Sequence, residues 1–125
     1  MKLTPFRGRR VPKPWGHELI WAQTERYVGK VLHIEPGEAL SFQYHVKKDE
    51  TICLLSGLLD LEVAEPGGSR RTLQLRPGDS FRIEPELRHR MTAVETCDVL
   101  EVSTPEIEDV VRLEDRYGRG GKTEP

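Results

Sequence analysis

Apolar and polar residues alternate in short runs along most of the chain, the period of strands buried on one face only. Lys30, Leu32 and Ile34 fall on one side of a run, Leu59, Leu61 and Val63 on one side of another, and Phe81 and Ile83 on one side of a third. Turn formers interrupt the runs at Pro14 and Gly16, Pro36 and Gly37, Ser56 and Gly57, Pro66 and Gly68, Pro77 and Gly78, and at Pro85. Between them the pattern predicts strands over 18–22, 30–35, 41–45, 51–55, 58–64, 71–75, 80–83, 89–94 and 99–103. Many short strands at close spacing predict an all-β sandwich or barrel, closed enough to hide its edges. Helical character is confined to 105–117, where Ile107, Val110, Val111 and Leu113 could form one apolar stripe. The Gly-rich, charged stretch 118–125 reads as a flexible tail. The expected organisation is an N-terminal arm over 1–12, a barrel over 13–117 and a tail over 118–125.

A length of 125 residues fits one domain with one core. Charged residues make up 32% of the chain but nearly cancel, leaving a net charge of −2, so a nucleic-acid partner is not expected. Arg7, Arg9 and Arg10 read as part of a solvated arm. No run reaches the roughly 20 apolar residues that span a bilayer, so no membrane partner is expected. The first residues lack the apolar centre of a secretion signal, and a cytoplasmic location is the expectation. Cys53 and Cys97 form no C-x-x-C pair and read as two buried free thiols.

Chemistry concentrates in two stretches. Gln43 and His45 are two apart and project together from a strand, and Glu50 follows after a short connection at the start of the next. Asp79 to His89 brings a second imidazole to the start of another strand. Two imidazoles, a carboxylate and an amide oxygen suit one divalent metal ion: zinc, manganese or ferrous iron. The amide adds no charge, so the ion keeps a net positive charge with which to polarise a substrate oxygen. His17 and His33 have no partner at ligand spacing and read as ordinary hydrogen-bonded histidines.

The stretch from Gly37 to Gly57 resembles the first cupin motif, G-x5-H-x-H-x3/4-E-x6-G, with Gln43 in place of the first histidine. The stretch from Gly78 to His89 resembles the second, G-x5-P-x-G-x2-H, with Glu84 and Glu86 replacing its proline and glycine. A narrower resemblance, to the small or C-terminal cupin of type II mannose-6-phosphate isomerases, covers nearly the whole chain. It rests on Lys13-Pro-Trp-Gly16 with Glu18, on Pro36 to His45, on Ser56-Gly57, on Pro77 to Ser80, on His89-Arg90, and on Asp109-Val-Val-Arg-Leu-Glu-Asp-Arg-Tyr-Gly118. The chain departs from that family at Val46 to Asp49 and at Thr51, where the family usually carries histidines.

The resemblance implies a single cupin jelly-roll barrel, a double-stranded β-helix, ending in a short helix or extended tail. It implies Gln43, His45, Glu50 and His89 as metal ligands, and an aldose–ketose isomerase acting on a sugar or sugar phosphate of the mannose 6-phosphate type. Lys30, which alternation with Leu32 and Ile34 would turn inward, with a strand-end lysine reaching solvent as the other reading, and Glu50 are the candidate catalytic groups. Of the cations that could meet substrate, among them Arg88 and Lys48, the expectation rests on Lys30, Arg90 and Arg112. Trp15 reads as a core residue under a turn, with a place against a sugar face as the other reading. A homodimer through sheet faces or an exchanged arm is expected. Two other functions fit the same residues: a cupin that binds a carbohydrate or metabolite without turnover, and an iron-dependent oxygenase built on His45, Glu50 and His89.

Overall fold

A computed structural model describes residues 1–119 and 121–123. Twelve strands run in the order β1 (Arg9–Lys13), β2 (Gly16–Gln23), β3 (Val28–Ile34), β4 (Phe42–Tyr44), β5 (Glu50–Ser56), β6 (Leu59–Ala64), β7 (Arg71–Leu75), β8 (Ser80–Ile83), β9 (Arg88–Ala93), β10 (Cys97–Ser103), β11 (Val110–Glu114) and β12 (Gly121–Thr123). They form two antiparallel six-stranded sheets, ordered β1-β2-β3-β10-β5-β8 and β12-β11-β4-β9-β6-β7. The facing sheets are the jelly roll the motifs implied.

The predicted strands all form, 71–75 and 80–83 with the expected ends and the others shifted by one or two residues. The expected helical stripe in 105–117 does not. Val110–Glu114 is instead a strand lying between β4 and β12, with Val111 opposite Tyr44 and Arg112 opposite Gln43. The β-branched pair Val110 and Val111 favours extended backbone, and a free sheet edge at β4 supplies the hydrogen bonds a short isolated helix would lack. Part of the expected arm is also a strand, since β1 pairs with β2 from Arg9 opposite Ile20 to Lys13 opposite Gly16. Within the expected tail, Gly121–Thr123 pairs with β11, while 120, 124 and 125 lie outside the described residues.

Alternation gives the barrel two chemically different ends. The inward side chains of β3 are Lys30, Leu32 and Ile34, those of β5 are Glu50, Ile52 and Leu54, and those of β9 are His89, Met91 and Ala93. On β10 the order reverses with strand direction: Cys97, Val99, then Glu101. Each strand thus contributes its polar inward residue at one end. Below them Leu32, Ile34, Ile52, Leu54, Leu59, Leu61, Ile83, Met91 and Val99 form a core with almost no exposure. Truncating any of these leucines or isoleucines to alanine costs about 2–5 kcal/mol.

Gly57 shows why its motif needs glycine. Its φ is 94°, and a Cβ there would stand 2.1 Å from the Thr96 carbonyl oxygen. At the second motif the missing glycine is replaced without changing the backbone. Glu86 holds φ at 75°, the left-handed region glycine prefers, and its N–H donates to the His45 carbonyl at 2.7 Å. Cys97 is buried in the core, whereas Cys53 is half-buried on the outer face of its sheet, so only one of the two thiols is interior as expected.

Candidate functional site

The polar end of the barrel is a cup. Its walls include Lys30 on β3, Gln43 on β4, Glu50 on β5, Glu101 on β10 and Arg112 on β11. Leu32, Leu40 and Met91 close its floor. Among the described residues one group of histidines and carboxylates could hold a metal ion, and its members are His45, Glu50 and His89. Their candidate ligand atoms all lie within 4.8 Å of one another, and all three side chains are buried. Glu50 is the centre of the group, with His45 Nε2 at 3.3 Å and His89 Nε2 at 3.9 Å from its carboxylate oxygens.

Backbone carbonyls fix which imidazole nitrogen is bare. His45 Nδ1 donates to the Asp109 carbonyl at 2.5 Å, and His89 Nδ1 donates to the Leu87 carbonyl at 3.0 Å. A carbonyl oxygen can only accept, so each Nδ1 carries a proton, and in a neutral ring Nε2 is then the nitrogen with the lone pair. Both Nε2 atoms and Glu50 Oε2 are buried without a hydrogen-bond partner. Burial drives the His89 imidazole down to about 4, against the pull of Glu50, which keeps it neutral near pH 7. Imidazoles oriented from behind, beside an ionised carboxylate, fit a divalent cation. Gln43 stands directly opposite His89 across β4 and β9 and faces the same cup. Its Oε1 accepts from Ser41 Oγ at 2.9 Å, which leaves one lone pair free.

A buried charge network surrounds these groups. Lys48 Nζ lies 3.1 Å from Glu101 Oε2 and 3.0 Å from Glu50 Oε2, the second contact an ion pair out of line for a hydrogen bond. Burial pushes the Glu50 carboxyl up, but the surrounding positive charge, the Lys48 ammonium first, outweighs it and holds the carboxyl below the usual carboxylate range. Burial likewise opposes the Lys48 charge, and Glu101 with Glu50 outweighs it and holds the ammonium above the usual lysine range. Lys30 points inward, only 5% exposed, with its Nζ 3.2 Å from Glu18 Oε1. The loop carrying His45 is tied down by Asp109, whose carboxylate accepts from the N–H groups of Val46, Lys47 and Lys48 at 3.0, 2.6 and 2.9 Å.

The structure therefore brings Lys30, Gln43, His45, Glu50, His89 and Arg112 to one cup. It does not bring Arg90 there. Alternation on β9 turns His89 inward and Arg90 outward, where its guanidinium donates to the Leu40 and Glu114 carbonyls at 3.2 and 3.0 Å. Arg88 faces the same outer side, 3.8 Å above the Tyr44 ring. Lys48 is locked between carboxylates. Trp15 is 2% exposed in the core and touches the cup only from its rim. His17 and His33 stack on the outer surface at 4.9 Å, and His33 Nδ1 bonds Asp98 at 2.8 Å. Sequence reasoning missed Glu101, although its alternation with Cys97 and Val99 marks it as inward. It noted Glu18 and Asp109 within motifs but gave them no role.

The comparisons agree with this architecture. Among solved structures the barrel superposes on KdgF from Halomonas sp. with a TM-score of 0.66 at 21% identity, covering 78% of this chain and 88% of that one. On oxalate decarboxylase from Bacillus subtilis it reaches 0.76 at 16% identity, covering 86% of this chain and 31% of the other. These likenesses show the fold alone. In sequence the chain is 31% identical over 114 residues to mannose-1-phosphate guanylyltransferase ManC of Salmonella typhimurium, and 30% identical over 116 residues to xanthan biosynthesis protein XanB of Xanthomonas campestris. Each alignment covers 89% of this chain but only 23% and 24% of those proteins, so the chain spans about a quarter of these relatives. Among the described residues no helix is long and apolar enough to cross a membrane. The family model described as the cupin domain matches residues 30–103, more than half of the sequence, and the chain belongs to the cupin family.

Proposed function

We propose that this chain is a metal-dependent aldose–ketose isomerase for a sugar phosphate of the mannose 6-phosphate type, with Gln43, His45, Glu50 and His89 holding one zinc, manganese or ferrous ion. The observation that carries the reading is the pair of bare Nε2 atoms meeting Glu50 in a cup that also contains Lys30. The relatives ManC and the other guanylyltransferases, named for mannose 1-phosphate, add support from substrate class. A bound divalent ion would supply electrostatic stabilisation of negative charge on substrate oxygens.

The rest falls to the chain's own groups. Isomerisation moves a proton between C2 and C1 and shifts the carbonyl the other way. Lys30, oriented by Glu18, donates a hydrogen bond to the substrate oxygen on which charge develops. Glu50, through the carboxylate oxygen it does not give the metal, takes the proton from C2 and returns it at C1, while the hydroxyl proton passes from O2 to O1 by way of Lys30. The inner cup has a volume of about 60 Å3, room for reacting oxygens but not a whole sugar. A hollow of about 270 Å3, sharing Lys13, Glu18 and Lys30 with it, lies between β1 and the β10–β11 connection.

The test is proton NMR in deuterated water, with manganese- or zinc-loaded protein added to mannose 6-phosphate and related sugar phosphates. Deuterium at C2, or a ketose product, is expected. Its absence with metal bound would sink the isomerase and leave a binding cupin, or an oxygenase if ferrous iron drives oxygen consumption. His45→Ala and His89→Ala should each lose the metal by elemental analysis; full occupancy in both would refute the ligand set.

The same reading includes a homodimer. Leu19, Val31, Leu100 and Cys53 form one row across four strands on the outer face of the first sheet, and Trp21, Leu55 and Val102 beside it are nearly half exposed. A second copy covering this row would hide an apolar surface that monomers rarely leave open.

A further inference from the structure

Beyond Gln43 the wall of the cup carries positive charge that metal binding does not use. Lys13 on β1 and Arg112 on β11 line a hollow with Trp15, Ser41 and Gln43, and Glu18 and Arg119 complete its rim. The other charges there are paired: Glu18 holds Lys30, and Arg119 is bound to Asp115 through Nε at 3.1 Å and its terminal nitrogen at 3.3 Å. Lys13 Nζ and the Arg112 guanidinium have no hydrogen bond or ion pair among the described residues, and Arg112 Nε is buried without a partner.

Register makes this hollow continuous with the metal group. Arg112 lies opposite Gln43, and Gln43 lies opposite His89, so three side chains on successive strands face one space. At ~4.8 Å per strand, the Arg112 backbone stands roughly 10 Å from that of His89. Both cations are held at a disadvantage. Burial lowers the Arg112 guanidinium below its ordinary range, with Arg119 adding to it. Burial also lowers Lys13; Glu18 opposes this, while Lys30, Arg119 and Arg112 reinforce it. An anion between them would relieve that disadvantage.

We propose that Lys13 and Arg112 form a seat for the terminal oxyanion, phosphate or carboxylate, of a polyhydroxy substrate whose other end faces His45, Glu50 and His89. The orientation of the substrate rests on the metal-dependent reading above; the seat rests on Lys13 and Arg112. Two strand spacings between the Arg112 and His89 backbones leave room for a short polyhydroxy chain between seat and metal group.

Calorimetric titration of the manganese-loaded protein with glucitol 6-phosphate, gluconate and neutral glucitol tests the seat without requiring turnover. At least one anionic polyol should bind about tenfold or more tighter than glucitol, ~1.4 kcal/mol. Whichever anion shows the preference identifies the oxyanion. The preference should vanish in K13Q/R112Q, with metal content retained, and persist in K13R/R112K, which shows that charge and not folding is responsible. Equal binding of all three polyols by the native chain would overturn the proposal. So would a preference that survives in K13Q/R112Q, since the anion would then sit elsewhere. Failure of the isomerase reading is separate: it appears as absent isotope exchange, and the anion preference then stands without it.

Discussion

Replacing Lys48 with methionine keeps an unbranched side chain one atom shorter and removes its charge from a place where it meets two carboxylates. Lys48, Glu50 and Glu101 have side chains 6%, 2% and 5% exposed, so water cannot take over from the ammonium. In the native chain one cation faces two carboxylates. In K48M the cation opposite Glu101 is Lys30, already paired with Glu18, and Glu50 loses its ion pair. Removing one partner from a buried ion pair costs about 3–5 kcal/mol, and here one removal strands two carboxylates. Domain stabilities of about 5–15 kcal/mol make that a large fraction of the total. Urea denaturation of metal-free protein at pH 7.5, followed by circular dichroism, should show a loss in this range. A divalent ion restores positive charge beside Glu50, so the deficit should shrink on adding manganese. Each tenfold of free ion above its dissociation constant adds about 1.4 kcal/mol to the folded state. The native chain already has Lys48 beside the site, and the variant should therefore gain more from the metal. A metal-free K48M within about 1 kcal/mol of native would refute the reasoning, because Glu50 and Glu101 would then need no buried counter-charge.

Glu86→Gly should stabilise the chain by about 0.5–1 kcal/mol in the same assay, since left-handed backbone costs an L-residue about 1–2 kcal/mol and glycine returns part of this through its freer unfolded state; the exposed Arg88–Glu86 contact it removes is worth little. Asp109→Asn should cost about 1–2 kcal/mol near neutral pH by weakening the carboxylate's bonds to three N–H groups. Burial opposes the Asp109 charge, but those donors and His45 hold its carboxyl below the usual range. The stability it contributes is therefore present above about pH 4 and lost as pH falls through the folded value, so the gap between native and D109N should close in acid; a gap that widens would refute it. Trp21→Glu on the outer sheet face should convert a dimer to monomer by light scattering, and a dimer unaffected by it would place the contact elsewhere.

Much of the barrel was legible because strand alternation is a local signal. Lys30, Leu32 and Ile34, or His89 and Met91, declare their shared face by spacing of two, and Gly57 declares a turn that a Cβ would block. The spacing of Gln43, His45 and Glu50 placed three polar groups on one surface, the segment ending at His89 offered the second imidazole, and the resemblance implied the same four ligands. The segment 105–117 was not legible. Its apolar residues satisfy a helical period on paper, and only the free edge of β4 makes the strand the better solution.

What the sequence determined by itself was the set of strands, the turns between them and the local geometry of each motif, because these depend on residues within a few positions of one another. The tertiary structure decided which polar residues share an interior. Glu101 reaches Lys48 and Arg112 faces Gln43 across strands far apart in sequence. Alternation sends Arg90 outward while its neighbour His89 turns inward to within 3.9 Å of Glu50. Charge pairing and orphaned lone pairs are properties of side chains converging from different strands, and convergence follows from the order of strands in the sheets, which no single segment encodes.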